Sequence, residues 1–229
     1  MRTGRRAAHR SGRRAAHRSG RRGGRSNRAG SCAGARVAGS RGRSGRRISS
    51  FNGSAGQAPP VCQIVGYKNS GKTTLICALL PYLSAHGCKV GVIKHDAHDF
   101  EADREHTDTW RHRQAGAAAV AITSPHRTAL IEERRSTLTG LLAAMAPYDY
   151  VLVEGFKAAG YPKVVLLRTE QDLPLLEAPN AAAAAVWPGN DRLAAAVRKT
   201  NLRLFSIDDT AAIAEWLWQQ RFYFQNFNI

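Results

Sequence analysis

Residues 66–73 read G-x-x-x-x-G-K-T and follow directly on the apolar run Val61–Val65. This order is typical of a phosphate-binding loop that joins a strand to a helix. In such a loop the backbone N–H groups converge on an anion, the lysine reaches the outer phosphates, and the threonine hydroxyl takes one magnesium position. The motif opens the segment Lys72–Ala85, whose leucines fall on one face of a helix. The alternative interpretation is a glycine turn that begins a helix and holds no ligand.

The residues from 60 to about 220 predict a single α/β domain. Strands are expected at residues 61–65, 89–94, 118–123, 128–132, 150–154, 164–168, 183–187 and 203–206, and helices at 72–85, 108–115, 136–145 and 210–219. Continuous apolar runs such as residues 90–93 and 150–153 suit a sheet that is covered on both faces. We therefore predict a doubly wound, mostly parallel sheet with the architecture of a P-loop NTPase.

The formal net charge of +17 lies almost entirely in residues 1–57. That segment holds 16 of the 34 basic residues, all of them Arg, and no acid, whereas the remainder has 18 basic residues against 17 acids. The segment repeats an octamer, T-G-R-R-A-A-H-R then S-G-R-R-A-A-H-R, and it has almost no large apolar residue. We predict a disordered Arg-rich leader, because such a composition cannot bury a core.

Three roles of the leader remain open. It fits an electrostatic arm for nucleic acid or an anionic membrane, a transit peptide, or upstream sequence without a role. The nearly neutral remainder argues against nucleic acid as a partner of the domain. Because no apolar stretch reaches the length of a membrane span or forms a signal-peptide core, we expect a cytoplasmic protein.

Glu154 ends the predicted strand at residues 150–154 and is followed by a glycine. A bound triphosphate needs a carboxylate on the far side of its magnesium ion, at the tip of a neighbouring strand. Glu154 is therefore the predicted second-side carboxylate, acting on the metal directly or through water. An ordinary acid at the end of a strand is the alternative.

Residues 94–113 form a second polar concentration, which begins where the second predicted strand ends. Ligands bind at that edge of a doubly wound sheet, so Lys94, His95, Asp96 and His98 are expected to face the phosphates, with Asp96 as a second magnesium candidate. His95 and His98 also form an H-x-x-H pair, which suggests a dedicated divalent-metal site. A solvated, switch-like segment explains the same residues.

The preferred base cannot be derived from the motifs. The N-K-x-D tetrapeptide, with which many GTPases read guanine, does not occur. The segment W-P-G-N-D at residues 187–191 has the position of a base-reading loop, and position is its only support.

Four segments in the same order resemble the MobB family, the accessory GTP-binding proteins of molybdopterin-guanine dinucleotide biosynthesis. They are G-Y-K-N-S-G-K-T-T-L at 66–75, V-I-K-H-D-A-H-D-F at 92–100, A-G-A-A at 115–118 and V-E-G-F-K at 153–157. The chain departs from the family pattern D-x-x-G-K-D at residues 103–108, where His106 and Thr107 replace the glycine and the lysine. The leader has no counterpart in that pattern.

The resemblance implies a GTP-binding protein with weak hydrolysis, a homodimer, and cooperation with the guanylyltransferase that joins GMP to molybdopterin. Lys72 and Glu154 are the residues expected to carry catalysis, and Thr73, Glu154 and Asp96 those expected to hold Mg²⁺. The residues expected to bind GTP are Gly66, Asn69, Ser70, Gly71, Lys72, Thr73 and Thr74.

The sequence divides into a predicted leader (1–57), a nucleotide-binding domain (58–220) and a C-terminal tail (221–229). Three functional hypotheses follow. The first is a slow GTPase that supports conversion of molybdopterin to its guanine dinucleotide form. The second is an ATP-dependent small-molecule kinase or ligase that uses the same loop. The third is a nucleotide-dependent nucleic-acid-binding protein that acts through the Arg-rich leader.

Overall fold

The computed structural model describes residues 58–96 and 98–227. The predicted leader therefore lies outside the described residues. The strands are β1 (Val61–Val65), β2 (Val90–Lys94), β3 (Ala119–Ser124), β4 (Arg127–Glu132), β5 (Tyr150–Glu154), β6 (Lys163–Leu167), β7 (Ala181–Val186) and β8 (Arg203–Ser206). The helices are α1 (Lys72–Ala85), α2 (Asp108–Gln114), α3 (Leu138–Ala144), α4 (Asp191–Arg198) and α5 (Thr210–Gln225), with a 3₁₀ helix at Glu170–Glu177.

Six of these strands form one sheet in the order β2-β5-β1-β6-β7-β8. Every neighbouring pair in it is parallel, which confirms the predicted α/β class. β1 lies between β5 and β6, and all residues of these three strands are buried. Their mostly apolar sequences, which Gln63 interrupts in β1, reflect cover on both faces. The loop after β1 therefore begins near the middle of the sheet edge.

Helices cover both faces of the sheet, as the doubly wound prediction requires. On one face, α1 and α5 bury Leu79, Leu83 and Leu217 against strand residues such as Ile64. On the other face, α4 and the 3₁₀ helix pack on Val65 and its neighbours, and α3 packs on the β5 residues there. Alternate residues of β1 thus belong to different cores, because successive side chains of a strand point to opposite faces.

β3 and β4 form a separate antiparallel hairpin outside the parallel sheet. Both were predicted as strands, although the sequence did not show that they pair only with each other. Ile122 is 52% exposed and Leu130 is 63% exposed. The hairpin thus leaves apolar side chains uncovered in the single chain.

The C-terminal helix is longer than its sequence predicted. α5 continues past Gln219 to Gln225. Phe224 is 1% exposed, and its ring meets that of Trp216 in an edge contact with 5.6 Å between centroids. Gln225 also donates a hydrogen bond to the Ala58 carbonyl at 2.9 Å. Within residues 58–96 and 98–227, no helix combines the length and apolarity needed to cross a membrane.

β6 carries a buried lysine. Lys163 has no exposed surface, and its Nζ donates hydrogen bonds to the carbonyl oxygens of Ala159, at 2.7 Å, and Pro179. Burial lowers the pKa of Lys163 to about 8. This ammonium ties the segment before β6 to the segment before β7.

Candidate functional site

The loop at residues 66–71 connects β1 to α1 in a conformation that only glycine permits at two positions. A Cβ added to Gly66 would lie 3.0 Å from the Ser70 Cβ and 3.2 Å from the Leu166 Cβ. Gly71 has a φ of 93°, in the left-handed region that favours glycine. Asn69 adopts a φ of 61°, which asparagine tolerates better than most residues. Gly66 is therefore required because neighbouring side chains leave no room for a Cβ, and Gly71 because of its positive φ.

Trp187 and Ile207 hold the loop from the side of α1. A Cβ on Gly71 would lie 3.1 Å from the Trp187 ring and 3.3 Å from the Ile207 Cδ1. The Trp187 indole N–H also donates to the Ser70 carbonyl at 3.0 Å. The sequence offered the segment 187–191 as a base-reading loop by position alone, and the structure shows its first residue bracing the phosphate-binding motif.

Thr73 and Glu154, two predicted metal ligands, meet directly. The Thr73 hydroxyl donates to Glu154 Oε1 at 2.9 Å and to Oε2 at 3.0 Å. β1 and β5 are parallel, with Ile64 opposite Glu154, so β5 ends beside the start of the loop. Glu154 is 6% exposed, and Lys94 Nζ lies 3.9 Å from its Oε1. A hydroxyl and a buried carboxylate at this spacing form an oxygen donor set that suits a hard divalent cation.

Lys72 folds back over the loop. Its Nζ donates to the Tyr67 carbonyl at 2.8 Å and lies 3.5 Å from the Ser70 hydroxyl. Burial lowers the pKa of the Lys72 ammonium, and the nearby Glu154 carboxylate opposes that shift. Thr74, the last predicted binding residue, lies exposed in the first turn of α1. The Lys72 ammonium thus lies against the loop, where the motif uses a lysine to reach phosphates.

Gln63 fixes the turn that follows Glu154, and the sequence analysis did not single it out. Its side-chain amide donates to the carbonyl oxygens of Gly155, at 2.9 Å, and Phe156, at 2.7 Å. Both residues have positive φ, 97° for Gly155 and 51° for Phe156. The available signal was a glutamine inside an otherwise apolar buried strand.

The turn is also tied to the end of β2. The His95 N–H donates to the Glu154 carbonyl at 2.9 Å, and a Cβ on Gly155 would lie 3.2 Å from the His95 Cβ. His95 therefore contacts the turn beside the predicted metal ligand.

Asp96 and His98 are exposed, and Asp96 Oδ1 accepts a hydrogen bond from the His98 N–H at 3.1 Å. Across the part of the chain that the structure describes, no three His, Cys, Asp or Glu side chains gather as a metal site, so the dedicated H-x-x-H site is not supported.

The departure from the family pattern at residues 103–108 has a structural outcome. His106, which replaces the glycine, adopts a φ of 69°. Thr107, which replaces the lysine, is the N-cap of α2, and its hydroxyl accepts from the Trp110 N–H. The chain thus keeps a backbone conformation that glycine favours and uses the second replacement to begin a helix.

Arg168, just after β6, is a second contact of the loop that the sequence did not indicate. Its guanidinium donates to the Asn69 carbonyl at 2.8 Å and lies over the Trp187 ring, with 4.9 Å to the ring centroid. Arg168 and Trp187 therefore hold consecutive carbonyls of the loop, those of Asn69 and Ser70. Nothing in the local sequence of residues 163–168 marks this role, because it depends on β6 lying next to β1.

Comparison with known proteins gives a consistent result. A family model described as Molybdopterin guanine dinucleotide synthesis protein B matches residues 61–187. The chain is 40% identical over 122 residues to the molybdopterin-guanine dinucleotide biosynthesis adapter protein of Haemophilus influenzae. The alignment covers 52% of this chain and 68% of that protein. It is 35% identical over 158 residues to a probable adapter protein of the same name from Bacillus subtilis, with 67% of this chain and 89% of that protein covered.

Solved structures agree with the sequence matches. The crystal structure of Bacillus subtilis MobB superposes with a TM-score of 0.58 at 33% identity and covers 71% of this chain and 98% of that one. A MobB homolog from Bacillus stearothermophilus gives a TM-score of 0.55 at 31% identity, with the same 71% and 98% covered. The resemblance drawn from the four sequence segments is thereby confirmed, and the chain belongs to the MobB family of molybdopterin guanine dinucleotide synthesis proteins.

Proposed function

We propose that this chain binds GTP with Mg²⁺ and acts as an adapter in the conversion of molybdopterin to its guanine dinucleotide form. The contact between Thr73 and Glu154 carries the proposal, because it joins the phosphate-binding loop to a buried carboxylate on the neighbouring strand. The pathway comes from the names of the relatives, which are adapter proteins of molybdopterin-guanine dinucleotide biosynthesis.

Each site residue is proposed to contact a different part of the magnesium-bound nucleotide. Lys72 neutralises the β- and γ-phosphates, and the amides of residues 69–72 surround the β-phosphate. The Thr73 hydroxyl would offer an oxygen lone pair to Mg²⁺ while its O–H donates to Glu154. Glu154 would complete the metal shell directly or through a water. Asp96 is the proposed further ligand of the metal shell. Magnesium supplies charge neutralisation between the phosphates when it is bound.

Hydrolysis of GTP is proposed to be slow. Glu154 is the proposed carboxylate that orients a water, and its two oxygens already accept the hydrogen bond of the Thr73 hydroxyl. A carboxylate that is occupied in this way is a weak general base. The protein therefore acts as a nucleotide-dependent adapter, with turnover a minor activity.

The proposed partners are a second copy of the chain, the guanylyltransferase of the pathway, and molybdopterin. The exposed Ile122 and Leu130 of the β3–β4 hairpin support an association between copies, because apolar side chains of this size gain free energy when covered. We further propose a cytoplasmic location. The domain that begins at residue 58 and includes the whole of α5 is the proposed nucleotide-binding domain, and the Arg-rich leader is proposed to be dispensable for binding.

Calorimetric titration of the full chain with GTP and with ATP, each with and without Mg²⁺, tests the proposal. We expect GTP to bind more tightly than ATP and Mg²⁺ to strengthen binding. Lys72→Ala should abolish binding, whereas Lys199→Ala, at an exposed lysine after α4, should leave it unchanged. Unaltered GTP affinity in Lys72→Ala would contradict the site. A preference for ATP with rapid, substrate-dependent turnover would instead indicate a small-molecule kinase or ligase.

A further inference from the structure

A cleft opens beside the phosphate-binding loop. It has a volume of about 620 Å³ and lies between the first half of the loop and the segment that follows β6. Tyr67, Lys68 and Ser70 line it on the loop side, and Arg168, Thr169 and Gln171 line it on the other side. Its size is within the range of small-molecule sites, roughly 300–1,000 Å³.

The cleft presents a positive surface. Lys68 and Arg168 are both exposed there, and among residues 58–96 and 98–227 Lys68 has no ion pair. The one acid in the lining, Asp172, is buried, and its Oδ2 accepts the backbone N–H groups of Arg168 and Thr169, both at 2.7 Å. Backbone donors therefore offset the charge of the carboxylate, and the two exposed cations determine what the cleft attracts.

One wall of the cleft, the Tyr67 ring, also contacts a lysine: Lys157 Nζ lies 4.3 Å from its centroid. Lys157 follows β5 and is not part of the lining, so the cations of the cleft itself are Lys68 and Arg168. Such a surface, with hydroxyl and amide groups from Thr169 and Gln171, suits a phosphate group attached to a small organic molecule.

The cleft borders the triphosphate position, and the two share Ser70. Its lining does not include Lys72, Thr73 or Glu154. Glu154 approaches the loop from β5, on one side of β1, whereas the cleft lies on the side of β6. The two ligand positions share the loop and use opposite flanks of it.

We propose that this cleft binds a phosphomonoester of a ring compound, of which a phosphorylated pterin is the type, while the loop holds its nucleotide. The inference rests on the proposed function, since an adapter between a nucleotide and molybdopterin needs to recognise both. Arg168 then has two roles, because it lines the cleft and also fixes the Asn69 carbonyl of the loop. Occupation of the cleft is thereby coupled to the shape of the nucleotide site.

The test uses 6-hydroxymethylpterin monophosphate as the probe, titrated into the full chain with and without saturating GTP and Mg²⁺. We expect binding in both conditions, and at least tenfold weaker binding of 6-hydroxymethylpterin, which lacks the phosphate. Lys68→Glu reverses a positive charge at the cleft, and Gln171→Glu introduces a negative one. Each variant should bind the phosphorylated probe about tenfold more weakly than the wild type. Gln171 lies outside the loop, so its variant should keep the GTP affinity of the wild type.

Lys199→Glu is the matched control, because Lys199 follows the end of α4 that points away from the carboxyl edge of the sheet. It should bind the probe within twofold of the wild type. Equal binding of the phosphorylated and unphosphorylated compounds would overturn the proposal, as would unchanged binding in both cleft variants. Competition between GTP and the probe would show instead that the cleft belongs to the nucleotide site. Failure of GTP to bind, with probe binding intact and sensitive to Lys68→Glu, would contradict the proposed function and leave the cleft supported.

Discussion

The Thr73 hydroxyl, in the first turn of α1, donates to both oxygens of Glu154, the last residue of β5, at 2.9 and 3.0 Å. The threonine is a residue of the phosphate-binding motif, and the glutamate belongs to the strand beside it. A hydroxyl whose proton is already placed keeps its lone pairs free for a cation. This hydrogen bond is therefore compatible with the proposed magnesium site.

Glu154→Gln should remove the magnesium dependence of nucleotide binding and leave the metal-free affinity within about twofold. The amide keeps the shape of the side chain but loses its charge, and loss of a group that orients a metal ligand costs about tenfold or more in metal affinity. Turnover of GTP should fall as well. Titrations at several magnesium concentrations measure the first effect, and phosphate release measures the second.

Glu177→Gln is the control for this variant, since Glu177 is exposed at the end of the 3₁₀ helix. It should behave as the wild type in both assays. Full magnesium dependence and normal turnover in Glu154→Gln would remove Glu154 from the proposed mechanism.

Gly71→Ala should weaken nucleotide binding at least tenfold and lower the free energy of unfolding. The positive φ alone costs about 1–2 kcal/mol for a residue with a Cβ, and here the new methyl group also meets Trp187 and Ile207. Gly87→Ala separates the two effects, because Gly87 has a φ of 75° with no atom within 4 Å of an added Cβ. Chemical denaturation should show the larger loss in Gly71→Ala, and an equal loss in both would refute the steric part of the argument.

Phe224→Ala should lower the free energy of unfolding by about 3 kcal/mol, as expected for truncation of a buried aromatic side chain. Phe222, two residues earlier on the same helix, is 56% exposed, against 1% for Phe224. Phe222→Ala should therefore change stability by less than about 0.5 kcal/mol. Similar values for the two variants would show that the last turns of α5 do not pack on the domain.

Lys163→Met should change how stability depends on pH. The pKa of Lys163 falls from 10.5 to about 8 on folding, so between these values the unfolded chain binds more protons and the wild type gains stability as the pH rises. Relative to Lys163→Met, the free energy of unfolding of the wild type should increase by about 3 kcal/mol from pH 8 to 10.5, the equivalent of the pKa difference. Denaturation curves of both proteins across that range measure the gain, and a constant difference would contradict it.

The parallel sheet could be predicted from sequence because its strands are continuous apolar runs with polar or glycine ends. β1, β5 and β8 have the predicted bounds, and the others differ by one or two residues. The 3₁₀ helix at Glu170–Glu177 was not predicted. It contains Pro174, which argues against a helix when the sequence is read alone, and a capping box between Thr169 and Asp172 begins it.

α4 was also missed, although its sequence carries a signal. Leu193 and Val197 are buried four residues apart, and they face the core from one side of a helix of eight residues. So short a segment, with an alanine-rich strand before it, gives a weak periodic pattern. The end of α5 was placed too early, because its last turns are aromatic and resemble a frayed tail.

At the site, sequence motifs predicted Lys72, Thr73 and Glu154 because each occupies a fixed offset from a strand end. Gln63, Arg168 and Trp187 could not be found in this way. Their contacts with the loop and with the turn after Glu154 depend on which strands are neighbours, and strand order is a tertiary property. The H-x-x-H pair shows the converse, since among the described residues no third metal-ligating side chain joins a group with these histidines.

The hydrogen bond from the Trp187 indole to the Ser70 carbonyl places a fluorophore against the phosphate-binding motif. Indole emission responds to the polarity and hydrogen bonding of its surroundings, so a rearrangement of this loop becomes an optical signal. Trp187, one of the four tryptophans of the chain, is therefore a label-free reporter for the proposed nucleotide site.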